Sequence, residues 1–294
     1  MPMAKDVELV LDAHAEIGEG PAWDAARQVL LWVDITRGLV HTFDPSTERD
    51  HALTVGQHVG ATAPRARGGL VLAVRDGFAA LDTESGDVQM IAEVEADVAS
   101  NRMNDGKCDG GGRFWAGTMA YDYEEKLNAG ALYRLNPDLS VSKVISEVTL
   151  SNGLGWSPDD HTMYFIDSGA RSVDAFDYDA PTGTIQNRRR LVEIPEGALP
   201  DGMTVDSEGF LWVALWGAGR IERYTSAGAL DDVIELPVTQ VTSCIFGGPD
   251  LEDLYITSAA HQLSDEQLKA EPHAGGVFRV RPGVAGLPGH PFGG

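Results

Sequence analysis

The sequence predicts an all-β protein, a six-bladed β-propeller that uses the whole chain. Three observations support this prediction. Short apolar segments recur at a nearly constant interval, a second strand-like segment with turn residues follows each of them, and helical patterns are scarce. A β-sandwich would hold as many strands, but sandwiches seldom repeat a unit of about 45 residues, so we favour the propeller.

Each repeat contains an apolar segment with one aromatic or aliphatic anchor, such as Trp32 or Trp115. The anchors recur roughly every 45 residues, which is close to the period of propeller blades. Because a single blade cannot bury both of its faces, six such units are expected to stack radially around an axis. The anchor segments are residues 30–34, 69–74, 113–118, 163–167, 211–215 and 254–258.

A second segment follows each anchor segment, and several of these alternate polar with apolar residues, the period of a half-buried strand. Pairs such as Asp-Pro, Asn-Pro and Thr-Gly then supply turns, and many units end in a further short strand. The second segments are residues 39–45, 77–82, 131–137, 173–177, 220–225 and 276–280.

Two segments depart from the repeat. Residues 264–270 begin with Ser264 and two acidic residues, a pattern that predicts a short capped helix within a loop. The tail from about residue 282 is rich in Gly and Pro and is expected to be irregular. Since no long linker or domain boundary is visible, residues 1–294 are expected to form one domain.

The composition limits the choice of partners and compartment. The chain has 22 Lys and Arg against 45 Asp and Glu, a formal charge of -23 that repels nucleic acid and anionic membranes. It has no apolar stretch of about 20 residues, no signal-peptide pattern at its start, and two cysteines, Cys108 and Cys244, without disulfide or zinc spacing. We therefore expect a cytoplasmic protein that is a monomer or a weak homo-oligomer.

A polar residue recurs at nearly the same distance ahead of most anchors. Equivalent positions of a closed ring lie at equivalent places, so these side chains are expected to converge at one mouth of the axis. Two carboxylates and two amides form an oxygen-rich site that suits a hard divalent cation, and such a cation relieves the repulsion between the carboxylates. The converging residues are Glu19, Asn104, Asn152 and Asp201, with Ser243 at the same place in the sixth repeat.

Glycines flank these polar residues, among them Gly20 and Gly202, and they allow sharp turns and close backbone approach. An Asn-Gly or Asp-Gly pair on its own is more often a hairpin turn. Hairpin turns do not require the same offset in every repeat, however, and the shared offset favours a common site.

The same segments resemble the motifs of the senescence marker protein/gluconolactonase/regucalcin family, in the right order over nearly the whole chain. This resemblance implies a six-bladed propeller with one catalytic divalent metal ion near its axis. Members of the family include gluconolactonases, xylonolactonases, arabinonolactonases and animal regucalcin, and the pattern is also similar to bacterial pentonolactonases. The matching segments are residues 18–23, 101–107, 151–157, 200–203, 246–249 and 274–278.

Matched motif by motif, the resemblance implies that Glu19, Asn152 and Asp201 bind the metal ion. It also implies that Arg102 and Asn104 help to hold the substrate.

The chain departs from the family pattern after Met119. Animal regucalcins carry a pair of glutamates there that shapes the substrate pocket, whereas residues 120–123 of this chain read Ala-Tyr-Asp-Tyr. Asp122 or Tyr121 is expected to take over the contact with the substrate. The preferred sugar is therefore left open by the sequence.

The resemblance implies a metal-dependent hydrolase that opens sugar lactones, such as gluconolactone, xylonolactone or arabinonolactone, to aldonic acids. Asp201 is expected to bind the metal and to act as general base for water, while Arg102 and Asn104 orient the hydroxyls or the carbonyl. Alternatively, the metal ion activates the water without a protein base. The ion itself stays open between Ca, Zn, Mn, Mg and Fe(II), because oxygen ligands suit several of them.

Two other functions compete with sugar lactone hydrolysis: an organophosphate or aryl-ester hydrolase on the same scaffold, and a calcium-binding regulatory propeller. The converging carboxylates and amides favour an enzyme over a propeller with an apolar binding rim. The eight histidines show no ligand spacing, so packing or solvated roles are expected. Ser243 and Cys244 are expected to line the pocket, and Trp216 is a candidate to reach it.

Overall fold

The computed structural model describes residues 6–294, so the first five residues of the expected domain lie outside the described part of the chain. Six four-stranded antiparallel sheets are arranged as blades around an axis, which confirms the six-bladed β-propeller. All six anchor segments and all six second segments of the sequence repeat lie on strands. The period of the apolar pattern therefore corresponds to one blade.

Short strands make up most of the described chain. In chain order they are β1 (Glu8–Leu11), β2 (Gly18–Asp24), β3 (Val29–Asp34), β4 (Leu39–Asp44), β5 (Arg49–Thr54), β6 (Val59–Pro64), β7 (Leu70–Val74), β8 (Gly77–Leu81), β9 (Val88–Glu93), β10 (Asn101–Cys108), β11 (Phe114–Ala120) and β12 (Gly130–Leu135). They continue with β13 (Val141–Val148), β14 (Ser151–Trp156), β15 (Thr162–Asp167), β16 (Ser172–Asp179), β17 (Thr184–Glu193), β18 (Leu199–Val205), β19 (Leu211–Trp216), β20 (Arg220–Tyr224), β21 (Leu230–Glu235), β22 (Val241–Gly247), β23 (Asp253–Ser258) and β24 (Val277–Val280).

The strands of a blade follow one another from the axis outwards. Blade 1 consists of β2 to β5, blade 2 of β6 to β9, blade 3 of β10 to β13, blade 4 of β14 to β17 and blade 5 of β18 to β21. Blade 6 combines β22, β23 and β24 with β1 as its outermost strand. The innermost strands β2, β6, β10, β14, β18 and β22 each contact the next, and β22 contacts β2, so they enclose a central channel.

The chain closes the ring by pairing its beginning with its last blade. β1 runs antiparallel to β24, with Leu9 opposite Phe278. Blade 6 therefore contains strands from both ends of the chain. Such pairing joins blades that are distant in sequence and leaves no unpaired edge between the first and last repeat.

Large aromatic anchors fill the spaces within and between the blades. Trp32, Trp115 and Trp212 are fully buried. The indole N–H of Trp115 donates to Asp109 at 2.8 Å, and that of Trp212 donates to Asp206 at the same distance. A buried indole N–H needs such an acceptor. The two aspartates directly follow the innermost strands β10 and β18, at equivalent places in blades 3 and 5.

Helix is scarce among the described residues, as the sequence predicts. The predicted helix is present as α1 (Asp265–Ala270), preceded by Ser264 as its N-cap. The Ser264 hydroxyl accepts a hydrogen bond from the Gln267 N–H, and the Gln267 side chain accepts one from the Ser264 N–H. No helix among residues 6–294 is both long and apolar enough to cross a membrane.

The tail from residue 282 has no regular element, as expected, but it is attached to the body of the protein. Phe292 is fully buried, and its N–H donates to the Pro64 carbonyl at 2.8 Å. The Gly286 N–H donates to the Leu251 carbonyl, also at 2.8 Å. Because Leu251 belongs to blade 6 and Pro64 to blade 2, the tail crosses one end of the channel.

Candidate active site

Each innermost strand contains an irregularity in its pairing with the second strand of the blade. In β18 the register breaks between Pro200 and Met203, which places Asp201 inside a bulge. β-Bulges commonly lie beside active sites because they redirect a side chain away from the regular ladder. The polar residues of the repeat lie within or beside these bulges. The other breaks fall between Glu19 and Ala22, Val59 and Ala61, Met103 and Gly106, Ser151 and Leu154, and Val241 and Ser243.

Glycine is required where the bulges crowd neighbouring strands. A Cβ at Gly202 would lie 2.3 Å from the Cβ of Ser243, which is closer than side-chain atoms approach. Gly20 has a φ of +53°, and its N–H donates to the Glu19 carboxylate at 2.5 Å. The glycines of the sequence motif therefore permit the close approach of innermost strands and fix the carboxylate beside them.

The carboxyl groups of Glu19 and Asp201 meet at the mouth of the channel, the end at which the innermost strands begin. Both residues are buried, and the two groups are close enough to share a hydrogen bond. Burial raises the pKa of both groups well above the usual range, and the negative charge of Asp105 raises both further. Two buried carboxyls held together in this way favour either a shared proton or a bound cation.

Asn152 is oriented by hydrogen bonds on both sides of its amide. Its Nδ2 donates to the Ser168 hydroxyl at 2.8 Å, and its Oδ1 accepts a hydrogen bond from Asn104 Nδ2 at 2.9 Å. The Ser168 hydroxyl in turn donates to the carbonyl of Pro200, the residue before Asp201, at 2.5 Å. The amide oxygen is thus fixed in place and has a second lone pair free for another partner.

This donor set fits a hard divalent cation. Glu19 and Asp201 supply carboxylate oxygens, and Asn152 supplies an amide oxygen. In the part of the chain that the structure describes, no three His, Cys, Asp or Glu side chains form a group that could hold a metal. A ligand set that combines two carboxylates with an amide and leaves further positions for water matches the preferences of such cations.

Arg102 lies beside this group and is buried. Its Nη1 donates to Asn104 Oδ1 at 2.6 Å and to the Met103 carbonyl at 3.0 Å. Burial lowers the pKa of Arg102 to about 10, although Tyr121, Glu19 and Asp201 favour its charged form. The guanidinium remains protonated at neutral pH and places a fixed positive charge next to the carboxylates. The chain Arg102–Asn104–Asn152 therefore connects the predicted substrate-binding residues with the predicted metal ligands.

The structure places Asp122, a further predicted substrate contact, on the exposed loop that follows β11. Its carboxylate pairs with Lys126 at 3.1 Å, and hydrogen bonding to Lys126 lowers its pKa. Asp122 makes no hydrogen bond or ion pair with Arg102, Asn104 or Asp201. Its role in substrate binding stays a prediction.

Two residues near the site, His58 and Tyr123, were not assigned from the sequence, whereas Tyr121 was one of the two candidates for the substrate contact. The Tyr121 hydroxyl lies 3.1 Å from His58 Nδ1, and the two rings pack edge to face. Burial lowers the pKa of His58, and the charge of Arg102 lowers it further. Burial raises the pKa of Tyr123, and the charges of Glu124 and Asp201 add to that rise. Tyr121 and Tyr123 belong to the segment where the chain departs from the family pattern. This departure was the feature of the sequence that could have pointed to Tyr123 as well as to Tyr121.

The remaining candidates from the sequence are placed as follows. Ser243 and Cys244 are buried in β22, and Trp216, at the end of β19, pairs with Leu199 at the start of β18. Trp216 therefore lies at the mouth end of blade 5. His41 packs against the blade core, with its ring 3.8 Å from that of Trp32.

The fold and the site define a class of protein: a six-bladed propeller with three buried carboxyls and two buried asparagines at one mouth of its axis. The model of the SMP-30/Gluconolactonase/LRE-like region matches residues 17–260, and the chain belongs to this family.

Individual relatives support this assignment over nearly the whole chain. The chain is 43% identical to regucalcin of Gallus gallus, over 98% of both sequences, and 42% identical to regucalcin of Xenopus laevis, over 96% of both. Among solved structures, the calcium-binding protein regucalcin from Agrobacterium tumefaciens matches with a TM-score of 0.94 and 28% identity, over 98% of both chains. A luciferin-regenerating enzyme matches with a TM-score of 0.91 and 37% identity, over 98% of this chain and 99% of the other.

Proposed function

We propose that this protein is a metal-dependent hydrolase that opens sugar lactones to aldonic acids. Membership of the gluconolactonase family supports a lactonase-like function. The observation that carries the proposal is the buried contact between Glu19 and Asp201 beside Asn152, with the Arg102–Asn104 pair next to it. A polar ester bound there would meet acid–base groups and fixed hydrogen-bond donors at the same point.

Glu19, Asn152 and Asp201 are the residues proposed to hold one divalent cation. The description of the Agrobacterium tumefaciens relative as a calcium-binding protein supports a cation of this type, and Mg, Mn, Zn or Fe(II) would also suit the oxygen ligands. A cation bound there would polarise the lactone carbonyl and increase the acidity of a nearby water molecule.

Asp201 is proposed as the general base. Its carboxylate takes one proton from the attacking water as the new bond between oxygen and the carbonyl carbon forms. The bond between that carbon and the ring oxygen then breaks, and Asp201 returns the proton to the departing alkoxide. The product is the open-chain hydroxy acid, and Asp201 regains its charge.

Arg102 and Asn104 are proposed to hold the substrate. Arg102 uses one nitrogen for Asn104 and the Met103 carbonyl, which fixes its plane and leaves other N–H groups for a carbonyl or hydroxyl oxygen. Tyr121 and His58 provide a further phenol and imidazole beside the guanidinium. Asp122 is proposed to contact a hydroxyl of the sugar from the loop after β11.

The test measures the hydrolysis of glucono-, xylono- and arabinonolactone by recording the release of acid in a pH-stat. The protein is first stripped with a chelator and then supplied with Ca, Mg, Mn, Zn or Fe(II) in turn. Activity that disappears with the chelator and returns with one cation supports the proposal. Full activity of the stripped protein would eliminate the metal role.

Two further measurements separate the competing functions. Faster hydrolysis of a phosphotriester or an aryl ester than of any lactone would point to the alternative hydrolase. Cation binding without hydrolysis of either substrate class would point to a calcium-binding regulatory propeller.

A further inference from the structure

The side chain of Lys107 crosses the central channel. Lys107 lies on β10 of blade 3, and its Nζ donates to the Met203 carbonyl on β18 of blade 5 at 2.6 Å. Blade 4 stands between these two strands, so the side chain connects blades that are not neighbours. A single long side chain thus spans the channel at this level.

Lys107 separates the candidate site from a second space below it. On one side it lies near Asp105 and Glu19: burial lowers the pKa of Lys107, and the negative charges of these two carboxylates oppose that shift. On the other side it lines a cavity of about 280 Å³ at the far end of the channel, together with Trp23 and Trp156. Lys107 therefore lies in the channel between the candidate site and this cavity.

The charges around the mouth nearly balance. Three acidic side chains, Glu19, Asp105 and Asp201, are buried there. The two basic side chains beside them are Arg102, which is buried, and Lys107, which is half-buried. The Arg102 guanidinium is hydrogen-bonded to Asn104. Among residues 6–294, Lys107 forms no ion pair with a carboxylate, so its charge acts on the group of carboxylates rather than on one partner.

We propose that Lys107 is a positioning residue that sets the cation affinity of the candidate site. Its charge stabilises the crowded carboxylates when no cation is bound, and it opposes a divalent cation held by Glu19 and Asp201. In a buried site of low effective dielectric constant, such opposition acts over several ångströms. The inference rests on the proposed metal site and concerns how tightly that site binds.

The variant Lys107→Gln tests this inference, because glutamine keeps an N–H donor for the Met203 carbonyl but has no charge. Binding of Ca²⁺ and of Mn²⁺ to chelator-stripped protein is measured by isothermal titration calorimetry. We expect the Kd to fall by roughly tenfold or more, and the stripped variant to melt at a lower temperature than the stripped native protein. An unchanged or higher Kd would overturn the proposal.

A matched control is Arg134→Gln. Arg134 is a half-buried cation of blade 3 that also donates to a carbonyl of blade 4, that of Thr182 at 3.2 Å, but far from the mouth. We expect its Kd to equal that of the native protein. A fall equal to that of Lys107→Gln would show that loss of any cation has this effect, and it would reject the specific role of Lys107.

A second variant keeps the test decisive if Lys107→Gln does not fold. The double variant Lys107→Met with Asp105→Asn removes one charge of each sign, and we expect a Kd within about threefold of the native value because the local charge is restored. A larger change would contradict the charge argument. If the native protein itself binds neither Ca²⁺ nor Mn²⁺, the proposed function fails at its metal site, which differs from a failure of Lys107 alone.

Discussion

At the scale of single residues, the mouth of the channel is organised by side chains that orient one another. Asn104 shows this most clearly. The sequence places it with Glu19, Asn152 and Asp201 as a converging oxygen donor, but its Oδ1 accepts a hydrogen bond from Arg102 and its Nδ2 faces Asn152. Because its oxygen is already engaged by a guanidinium, Asn104 suits the orientation of ligands and substrate better than direct contact with a cation.

The role of Asp201 is tested by Asp201→Asn. The amide is similar in size but accepts no proton from water, so we expect lactone turnover to fall by about 10² to 10⁴ while the protein remains folded. Turnover is measured in the pH-stat and folding by thermal denaturation of stripped protein. Near-native turnover by a folded variant would remove Asp201 from the mechanism.

The affinity of the site for a cation should depend on pH. The raised pKa values of Glu19 and Asp201 mean that the metal-free pair holds a proton at pH values where an ordinary carboxyl, with a pKa of about 4, is ionised. Since a cation must displace this proton, we expect its Kd to rise as the pH is lowered from about 8 to about 5. Calorimetric titrations across that range measure the trend, and a constant Kd would argue against a shared proton.

The same raised pKa values predict the effect of pH on the metal-free fold. The folded pair binds a proton more tightly than the unfolded chain does, so its contribution favours folding below the raised pKa and is lost as the pH rises through it. We expect Glu19→Gln to weaken this trend in the melting temperature of stripped protein. A variant that follows the native pH profile would show that other groups cause it.

At the scale of elements, the strands follow from the sequence, whereas the bulges do not. Alternating polarity and turn residues locate all six anchor strands and the capped helix α1, because these signals are local. A bulge arises where one of two paired strands has an extra residue opposite its partner. Its position therefore depends on the pairing of both strands, such as that of β19 with β18. The glycines beside the polar residues were the feature of the sequence that indicated the bulges.

The substitution Gly202→Ala tests the need for close strand approach. Its new Cβ would overlap Ser243, so we expect a loss of about 1 to 3 kcal/mol in the free energy of unfolding and weaker cation binding. Gly289→Ala is the control, because the nearest atom to its Cβ would be 3.5 Å away. Denaturant unfolding measures the free energy of unfolding of both variants. Equal values for the two would mean that β18 and β22 can move apart without a loss of stability.

At the scale of the whole molecule, the ends of the chain close the ring and one end of the channel. Blade 6 takes β1 from the beginning of the described chain, and the tail spans from blade 6 to blade 2. The sequence predicted six repeats and an irregular tail but not these connections. Pairing between positions more than 260 residues apart leaves no local pattern, and it is decided by which edges remain unpaired once the blades have stacked.

The attachment of the tail is tested by Phe292→Ala. Phe292 is fully buried in the core that blades 2 and 3 share, so we expect a loss of about 3 to 5 kcal/mol in the free energy of unfolding. Leu127→Ala, at a side chain that is 64% exposed, is the control and should change stability by less than about 0.5 kcal/mol. Similar stabilities for the two variants would mean that the tail is dispensable to the fold.

The amino-acid sequence predicted the number of blades, the strands and four polar residues of the mouth, Glu19, Asn104, Asn152 and Asp201, because a repeated unit places equivalent residues at equivalent points of a ring. It did not predict Asp105 or Lys107, which lie outside the repeated offset. The contacts of these side chains are set by the folded ring: Arg102 donates to the amide oxygen of Asn104, Asp122 pairs with Lys126, and Lys107 reaches from blade 3 to blade 5. These contacts depend on the distances between side chains of different blades. The repeat pattern of the sequence does not give those distances.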